Sequence, residues 1–375
     1  MKTVIHNSIL DFDAVEWNQL AGSSYPFMKH EFLAALEQNG CTGEQFGWLP
    51  KHIGLYQDSK LTGAIPVYEK NNSYGEFVFD NAWAEAYHRH GVPYFPKWIS
   101  SAPYTPVTGR RLLYDKNNAD KTLPAALINN VIDKAAEADV SSLHFLFPDQ
   151  EQMQLLKQHG FMIRTGCQFH WQNPGYHDFQ DFLDQLTSKK RKNIKQERRY
   201  AEKADVEIDI ISGNEATEQQ LVAAELFYKK TFDEKWGLAT LNLGFFKQIA
   251  ESMGQQLLLI MAKRNDTYIA GAICFKDEDC LYGRHWGCIE EHSHLHFELC
   301  YYQGIEYCIR NKLQRFEPGA QGEHKISRGF NPTLTWSAHW IKNRDFSNAI
   351  NDFLHQEEIH MQQYMKHLQE KSPFK

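Results

Sequence analysis

The sequence predicts an α/β protein with mixed sheets, built as a tandem duplication whose two similar halves face a shared cleft. Two internal matches and the order of elements predict it. Gly160-Phe161 is followed after an eight-residue gap by His170-Trp171, and Gly329-Phe330 after the same gap by His339-Trp340. Upstream of each lies a strand-like stretch ending in proline, at 143–148 and 313–318. Asp58, Gly63, Ala64, Ile65, Tyr74 and Gly75 match Asp266, Gly271, Ala272, Ile273, Tyr282 and Gly283 at one constant offset. Two matches in the same order argue for a repeated fold unit. Clefts between similar halves often bind ligands.

The first half opens, after Pro26, on a helical pattern at 32–36. Segments 52–56, 61–68 and 76–79 read as three strands, with turn residues Asp58-Ser59 and Asn71-Asn72-Ser73 between them. Helical spacing at 123–138, a strand at 143–147, a helix at 150–159 stopped by Gly160 and a strand at 167–171 complete it. The second half repeats the order. Helices fall at 218–232 and 243–253, strands at 257–262, 268–275 and 280–286, then a helix at 297–312 and a strand opening at 315. A mixed sheet with helices on its faces satisfies this order. The expected division is 1–177 for the first repeat, 178–205 for a basic helical connector, 206–343 for the second and active repeat, and 344–375 for a C-terminal helix. The tail's apolar stripe, Phe346, Ile350, Phe353, Leu354, Met361, Met365 and Leu368, is expected to pack on the body or on a second subunit.

A chain of 375 residues is natural for two domains. A net charge of -7 excludes a wholly basic nucleic-acid binder and leaves room for a local basic patch. The N-terminus has no apolar leader core, and no stretch reaches the length of a membrane span. Seven cysteines without C-x-x-C spacing read as buried free thiols in a reducing compartment, so a cytoplasmic location is expected.

Several segments carry a resemblance. They are 26–33, Ser73-Tyr74-Gly75-Glu76-Phe77-Val78-Phe79-Asp80, Pro103-Tyr104-Thr105-Pro106-Val107-Thr108-Gly109, Tyr282-Gly283-Arg284-His285-Trp286-Gly287, 296–303, and Gly319-Ala320-Gln321-Gly322-Glu323-His324-Lys325. Together they resemble the FemAB-like N-acyltransferases of the GNAT superfamily, a bacterial family labelled as peptidoglycan biosynthesis or recognition proteins. The resemblance runs to about Phe346. It implies a tandem GNAT-like fold and transfer of an acyl or aminoacyl group onto an amine. GNAT enzymes that use acetyl-CoA carry a Q/R-x-x-G-x-G/A loop whose N–H groups hold the pyrophosphate. The matching place here reads Trp286-Gly287-Cys288-Ile289-Glu290-Glu291-His292-Ser293-His294, which suits a pyrophosphate in neither glycine spacing nor charge. The donor is left as aminoacyl-tRNA, which Fem-type enzymes use, or acyl-CoA, with no cofactor certain.

Attack by an amine needs a proton acceptor and a stabilised oxyanion. Glu298 and Glu317, on a helix and at a strand end, are the candidate catalytic carboxylates; a hydrogen-bonded core suits them equally. The candidate substrate-binding residues fall in three places. Arg284, His285 and Trp286 end a strand, and His296, Tyr301 and Tyr302 open the following helix, one tyrosine toward the cleft and one toward the core. Gln321, Glu323, His324 and Lys325 lie on a glycine-flanked loop. Tyr104 and Arg110 lie on a Pro- and Thr-rich loop of the first half. Positions 284–286 are polar where the matching 76–78 is largely apolar, so the second half is expected to line the reactive cleft and the first to support it. Glu290, His292, His294, His296 and Glu298 alternate, which on a strand would share one face, but a loop leading into a helix fits as well, and no metal is expected.

A basic run, Lys189, Lys190, Arg191, Lys192, Lys195, Arg198, Arg199 and Lys203, follows Thr187-Ser188, which can cap a helix. Lys192, Lys195, Arg198 and Arg199 are the candidate phosphate contacts, to tRNA, a nucleotide or a pyrophosphate-linked precursor; a solvated surface helix is the plainer reading. With no Gly-x-Ser-x-Gly, Walker loop or Cys–His pair, direct transfer in a ternary complex is expected. The partner is a small-molecule or cell-wall precursor, with tRNA a candidate. A recognition protein without chemistry and a tRNA-binding module are the alternatives. The oligomeric state is not legible.

Overall fold

Each half builds its meander on a two-residue hairpin. Asp58 and Ser59 take φ of 50° and 65°, and Asn265 and Asp266 take 48° and 61°. Two consecutive left-handed residues give a turn whose twist matches that of the strands, and Asn and Asp tolerate it best. The structure, a computed structural model, describes the chain apart from Ser23, residues 118–121, Ala204, residues 235–236 and Gln321. It divides into two compact units, residues 1–167 with 334–364, and residues 168–333 with 365–375.

In the first unit, Lys2–His6, His52–Gln57, Lys60–Ile65 and Leu113–Tyr114 form an antiparallel sheet in that order. A second sheet runs Leu49–Pro50, Tyr68–Lys70, Lys97–Ser100, Ser142–Leu146 and then residues 337–341. Its central pair is parallel, with Trp98 opposite Leu143. Leu127, Ile128 and Val131 of the helix Leu123–Glu137 pack on Ile53, Leu55, Ile65, Trp98 and Phe145. The helix Arg344–Glu370 lays Ile350 and Leu354 on Trp83 and Tyr87, and Phe346 stacks on Tyr87 at 3.8 Å. This part of the tail therefore packs on the body.

The expected strand 61–68 is two strands in two sheets. Pro66 lacks the N–H that a continuing ladder needs, and the chain changes sheet there. The expected strand 76–79 does not form. Gly75 at φ 79° and Phe77 at φ 59° break the extended chain, and Glu76 turns inward to Lys97. The matched pair Tyr74-Gly75 and Tyr282-Gly283 thus keeps sequence but not conformation, since the latter lies within the strand Cys280–Cys288.

In the second unit the sheet order is Glu207–Ser212, Leu257–Arg264, Thr267–Lys276, Cys280–Cys288, Arg315–Glu317 and the end of Met162–Gln172. Again one pair is parallel, Tyr282 opposite Glu317. The division expected at 177, 205 and 343 follows chain order, whereas the compact units draw their last strands from elsewhere. Residues 337–341 complete the first unit on Ser142–Leu146, and Gln172 and Trp171 complete the second on Arg315 and Phe316. The helix Glu218–Glu234 crosses the sheet at Gly287, where a Cβ would stand 1.9 Å from the Phe227 carbonyl oxygen. Backbone cannot yield as a side chain can, so Gly287→Ala is expected to cost about 2–3 kcal/mol, read by urea denaturation. No described helix is long and apolar enough to cross a membrane. None of the seven cysteines is in a disulfide.

Candidate active site

The parallel ladder of the second unit ends at Tyr282 and Glu317. Beyond it Cys280–Cys288 stays paired on its other side, His285 with Ile273 and Trp286 with Ala272. The chain after Glu317 turns away at Pro318, and Gly283 admits the close approach, its missing Cβ lying 3.2 Å from Pro318 Cα. The opening holds a cavity of about 90 Å³ lined by Ala272, Cys274, Gly283, Arg284, His285, Trp286, His296, Cys300, Tyr301 and Pro318.

One wall comes from an irregular helix. Leu295–Phe297 is followed by a π-helical turn, Glu298–Tyr302, before the helix Gln303–Asn311. The inserted residue re-aims side chains, a common device at functional sites. Here it separates two adjacent tyrosines. Tyr301 lines the cavity, and its hydroxyl is 2.9 Å from His324 Nε2. Tyr302 turns away and donates to Glu197 of the basic helix Ser188–Glu202. His296 stands edge-on to Trp286 at 5.1 Å and to Tyr301 at 5.6 Å. The alternating acidic and histidine run is therefore a loop entering a helix, with His294 left-handed, and Glu290 is spent on Arg264. Among the described residues no three His, Cys, Asp or Glu side chains are grouped to hold a metal.

His324 and Lys325 sit on the turn Glu323–Arg328. Burial, then the nearby Arg328 and Lys325 charges, hold His324 below its ordinary value, so it is a neutral imidazole at pH 7. Lys325 is buried, and burial lowers it to about 8 against the opposing pull of Cys300, a cavity residue. Its ammonium donates to Gly319 O at 2.7 Å, and Lys325, like His324, stands outside the cavity lining. His285 packs on Tyr228 at 4.6 Å, and burial keeps it neutral.

The two carboxylates differ. Burial raises Glu298, but both its oxygens are held, by Arg198 Nε at 3.1 Å and Nη2 at 2.9 Å, and by Gln303 Nε2 at 2.7 Å. A carboxylate in a bidentate pair is committed to its partner. Glu317 accepts from Arg315 Nε at 2.9 Å, while its second oxygen is buried without a partner, 3.9 Å from His170 Nε2. It lies outside the cavity lining.

Other expected residues go elsewhere. Glu323 pairs with Lys371 at 3.0 Å, and Gln321 lies outside the described residues. Tyr104 donates to Cys41 O, and Arg110 donates to Leu20 O and Tyr114 O, all within the first unit. On the basic helix, Lys192, Lys195, Arg199 and Lys203 line a surface groove of about 660 Å³. Arg198 instead faces inward to Glu298 and Glu306. Thr187 occupies the N-cap but makes no side-chain cap bond.

The first half is not an apolar support. Lys97, wholly buried, donates to Glu76 at 2.8 Å and to Asp80, and Asp80 accepts from Tyr94 at 2.6 Å. Sequence reasoning missed this cluster, because Glu76, Asp80 and Lys97 have no common spacing. It also missed Glu197 and Arg328, whose side chains pair at 2.8 Å. A signal existed for Glu197. Ile194, Glu197, Arg198 and Ala201 recur at i, i+3, i+4 and i+7, the spacing of a buried face.

Two α/β units of this order define a tandem GNAT-like acyltransferase fold. The sequence matches the FemAB-like family, described as peptidoglycan biosynthesis/recognition, over residues 8–375, and the chain belongs to that family. The structure is similar to that of FemX, with a TM-score of 0.55, 12% identity, and coverage of 94% of this chain and 100% of that one. L-PGS from Bacillus licheniformis gives a TM-score of 0.52 at 10% identity, covering 84% and 92%. A conserved protein of unknown function from Bacteroides thetaiotaomicron gives 0.52 at 11% identity, covering 90% and 99%. At these identities the likeness is one of fold. No curated protein matches the sequence.

Proposed function

We propose that the protein is an N-acyltransferase that moves an acyl or aminoacyl group from a phosphate-bearing donor onto an amine of a peptidoglycan precursor. The observation that carries this reading is the aromatic-walled cavity at the end of the parallel ladder, with Tyr301 of its lining bonded to His324 and with Lys325, behind the lining, feeling the charge of the lining residue Cys300. The neutral amine attacks the donor carbonyl carbon, and the N–C bond forms as the carbonyl oxygen takes negative charge. The Lys325 ammonium stabilises that oxygen. The bond from carbonyl carbon to the leaving oxygen or sulfur then breaks. The amine proton passes through the Tyr301–His324 pair to the leaving atom. No covalent acyl-enzyme is needed.

The outer groove of the basic helix supports phosphate binding. Among the described residues Lys192 and Arg199 have no carboxylate partner, so their charge is free for a polyanion. Both candidate donors, aminoacyl-tRNA and acyl-CoA, carry phosphates. The test supplies each separately with a soluble precursor that has a free side-chain amine, and follows the precursor by mass spectrometry. The expected result is one added acyl mass from one donor. A precursor that binds and is returned unchanged with both would replace this reading by recognition without chemistry. Donor binding is expected to weaken as salt rises, with the slope reduced by about one for each of Lys192→Gln and Lys195→Gln.

A further inference from the structure

The helix Ser188–Glu202 presents cations outward and an ion-pair network inward. Outward, Lys192, Lys195, Arg199 and Lys203 stand three and four residues apart, a spacing at which like charges repel. Inward, two adjacent residues of opposite charge reach two different segments of the active site. Glu197 accepts from Arg328 Nη2 at 2.8 Å and Nε at 3.1 Å, and from the Tyr302 hydroxyl. Arg328 in turn donates to His324 O at 2.8 Å and lies 3.5 Å over the Phe297 ring. Arg198 grips Glu298 with two nitrogens and Glu306 with a third at 2.6 Å.

We infer that Glu197 and Arg198 are positioning residues, which couple occupancy of the outer groove by a phosphate-bearing ligand to the placement of Tyr301, His324 and Lys325. Three features support it. A helix moves as a body, so a displacement of its outer face is carried to its inner one. Neutralising four crowded cations supplies an interaction that differs between the free and bound states, without which no ligand shifts an equilibrium. The receiving segments are a 3-10 turn and a π-helical turn, backbone arrangements that recur at hinges and at functional sites. Tyr301 and Tyr302 straddle that joint, one on the cavity and one on Glu197. A donor bound by its phosphates then completes the site that receives its acyl group.

The inference rests on reading the groove as a phosphate surface, and its test is independent of turnover. Protein labelled with 13C-histidine, with the His324 signal assigned by H324Q, is titrated with tripolyphosphate. In the wild type the His324 signal is expected to move along the tripolyphosphate binding curve. E197Q keeps one acceptor for Arg328 but loses the charge. It is expected to bind the probe at least as tightly while the His324 displacement falls threefold or more. Arg328→Lys keeps the charge but loses the contact to His324 O, and is expected to behave likewise, so one misfolded variant does not decide the matter. A His324 signal unmoved at saturation overturns the inference, as do variants that respond like the wild type and a probe that does not bind. In transfer assays E197Q is expected to lower kcat about 10-fold or more with the donor KM within twofold. Coupling in a protein that transfers nothing would sink the proposed function alone; transfer without coupling would sink only this inference.

Discussion

Lys325→Met is expected to lower acyl transfer about 10²- to 10³-fold while leaving precursor binding nearly unchanged. That is the size of effect seen when one preorganised oxyanion donor is removed. The donor here is buried, has one protein acceptor in Gly319 O, and lies beside the cavity residue Cys300. Its charge is needed only as the carbonyl oxygen becomes negative, so the loss falls on kcat. The ammonium is the active form, and burial sets its value at about 8. The wild-type rate, measured with the neutral form of the amine kept saturating at each pH, should therefore be level up to about pH 7 and fall as pH rises through about 8. Lys325→Arg, whose guanidinium stays charged, should lose that descending limb even if its absolute rate is low. A pH profile in Lys325→Arg that still falls at 8 would assign the limb to another group.

The same residue should act on stability with the opposite sign. In the unfolded chain a lysine takes its proton as pH falls through about 10.5, whereas the folded Lys325 waits until about 8. Stability is therefore lost as pH falls across that interval, and the loss persists at neutral pH. Methionine keeps the length and removes the charge. At pH 7 the variant is expected to be more stable by about 1–2 kcal/mol, less whatever the Gly319 carbonyl loses with its donor. Loss of activity with gain of stability separates a functional lysine from a structural one. A variant both inactive and destabilised would mark Lys325 as part of the frame.

What the sequence made legible follows from range. The first hairpin was readable because Asp58-Ser59 carries its own turn chemistry, and Asn265-Asp266 carries the same signal in the second half, where only the flanking strands were read. The helices at 123–138 and 150–159 were readable from their spacing and from Gly160. Tertiary contacts decided the rest. Glu76 leaves a strand-like segment because Lys97, 21 residues away, receives it. Glu298 looked like a base by position, and Arg198, 100 residues earlier, holds it. Both cases involve a charge whose partner is distant in sequence, and no local pattern records such a pairing. Arg284, His285, Trp286, His296 and Tyr301 do meet around one cavity. They were traceable because they flank one ladder and the helix that follows it.

The largest effect on stability is expected in the first unit, from Lys97→Met, at about 3–5 kcal/mol. Removing one member of a buried ion pair costs this much because the other charges remain without compensation. Two carboxylates would be stranded, Glu76 and Asp80, each already with one oxygen that has no hydrogen-bond partner. Burial pushes Asp80 up, but Lys97 and then His144 outweigh it and hold it at about 2. Its contribution is present above about 3.8 and lost as pH falls through about 2. Glu76 runs the other way. Burial raises it to about 7 against the pull of Lys97, so its contribution is complete below about 4.5 and lost as pH rises through about 7. Denaturation at pH 5 and pH 8 should show Glu76→Gln gaining on the wild type at the higher pH. Adding Glu76→Gln and Asp80→Asn to Lys97→Met should recover much of the loss, since the penalty lies in the unpaired carboxylates. If Lys97→Met alone costs under about 1 kcal/mol, the cluster takes up protons or water readily, and its charges do little to hold the first unit together.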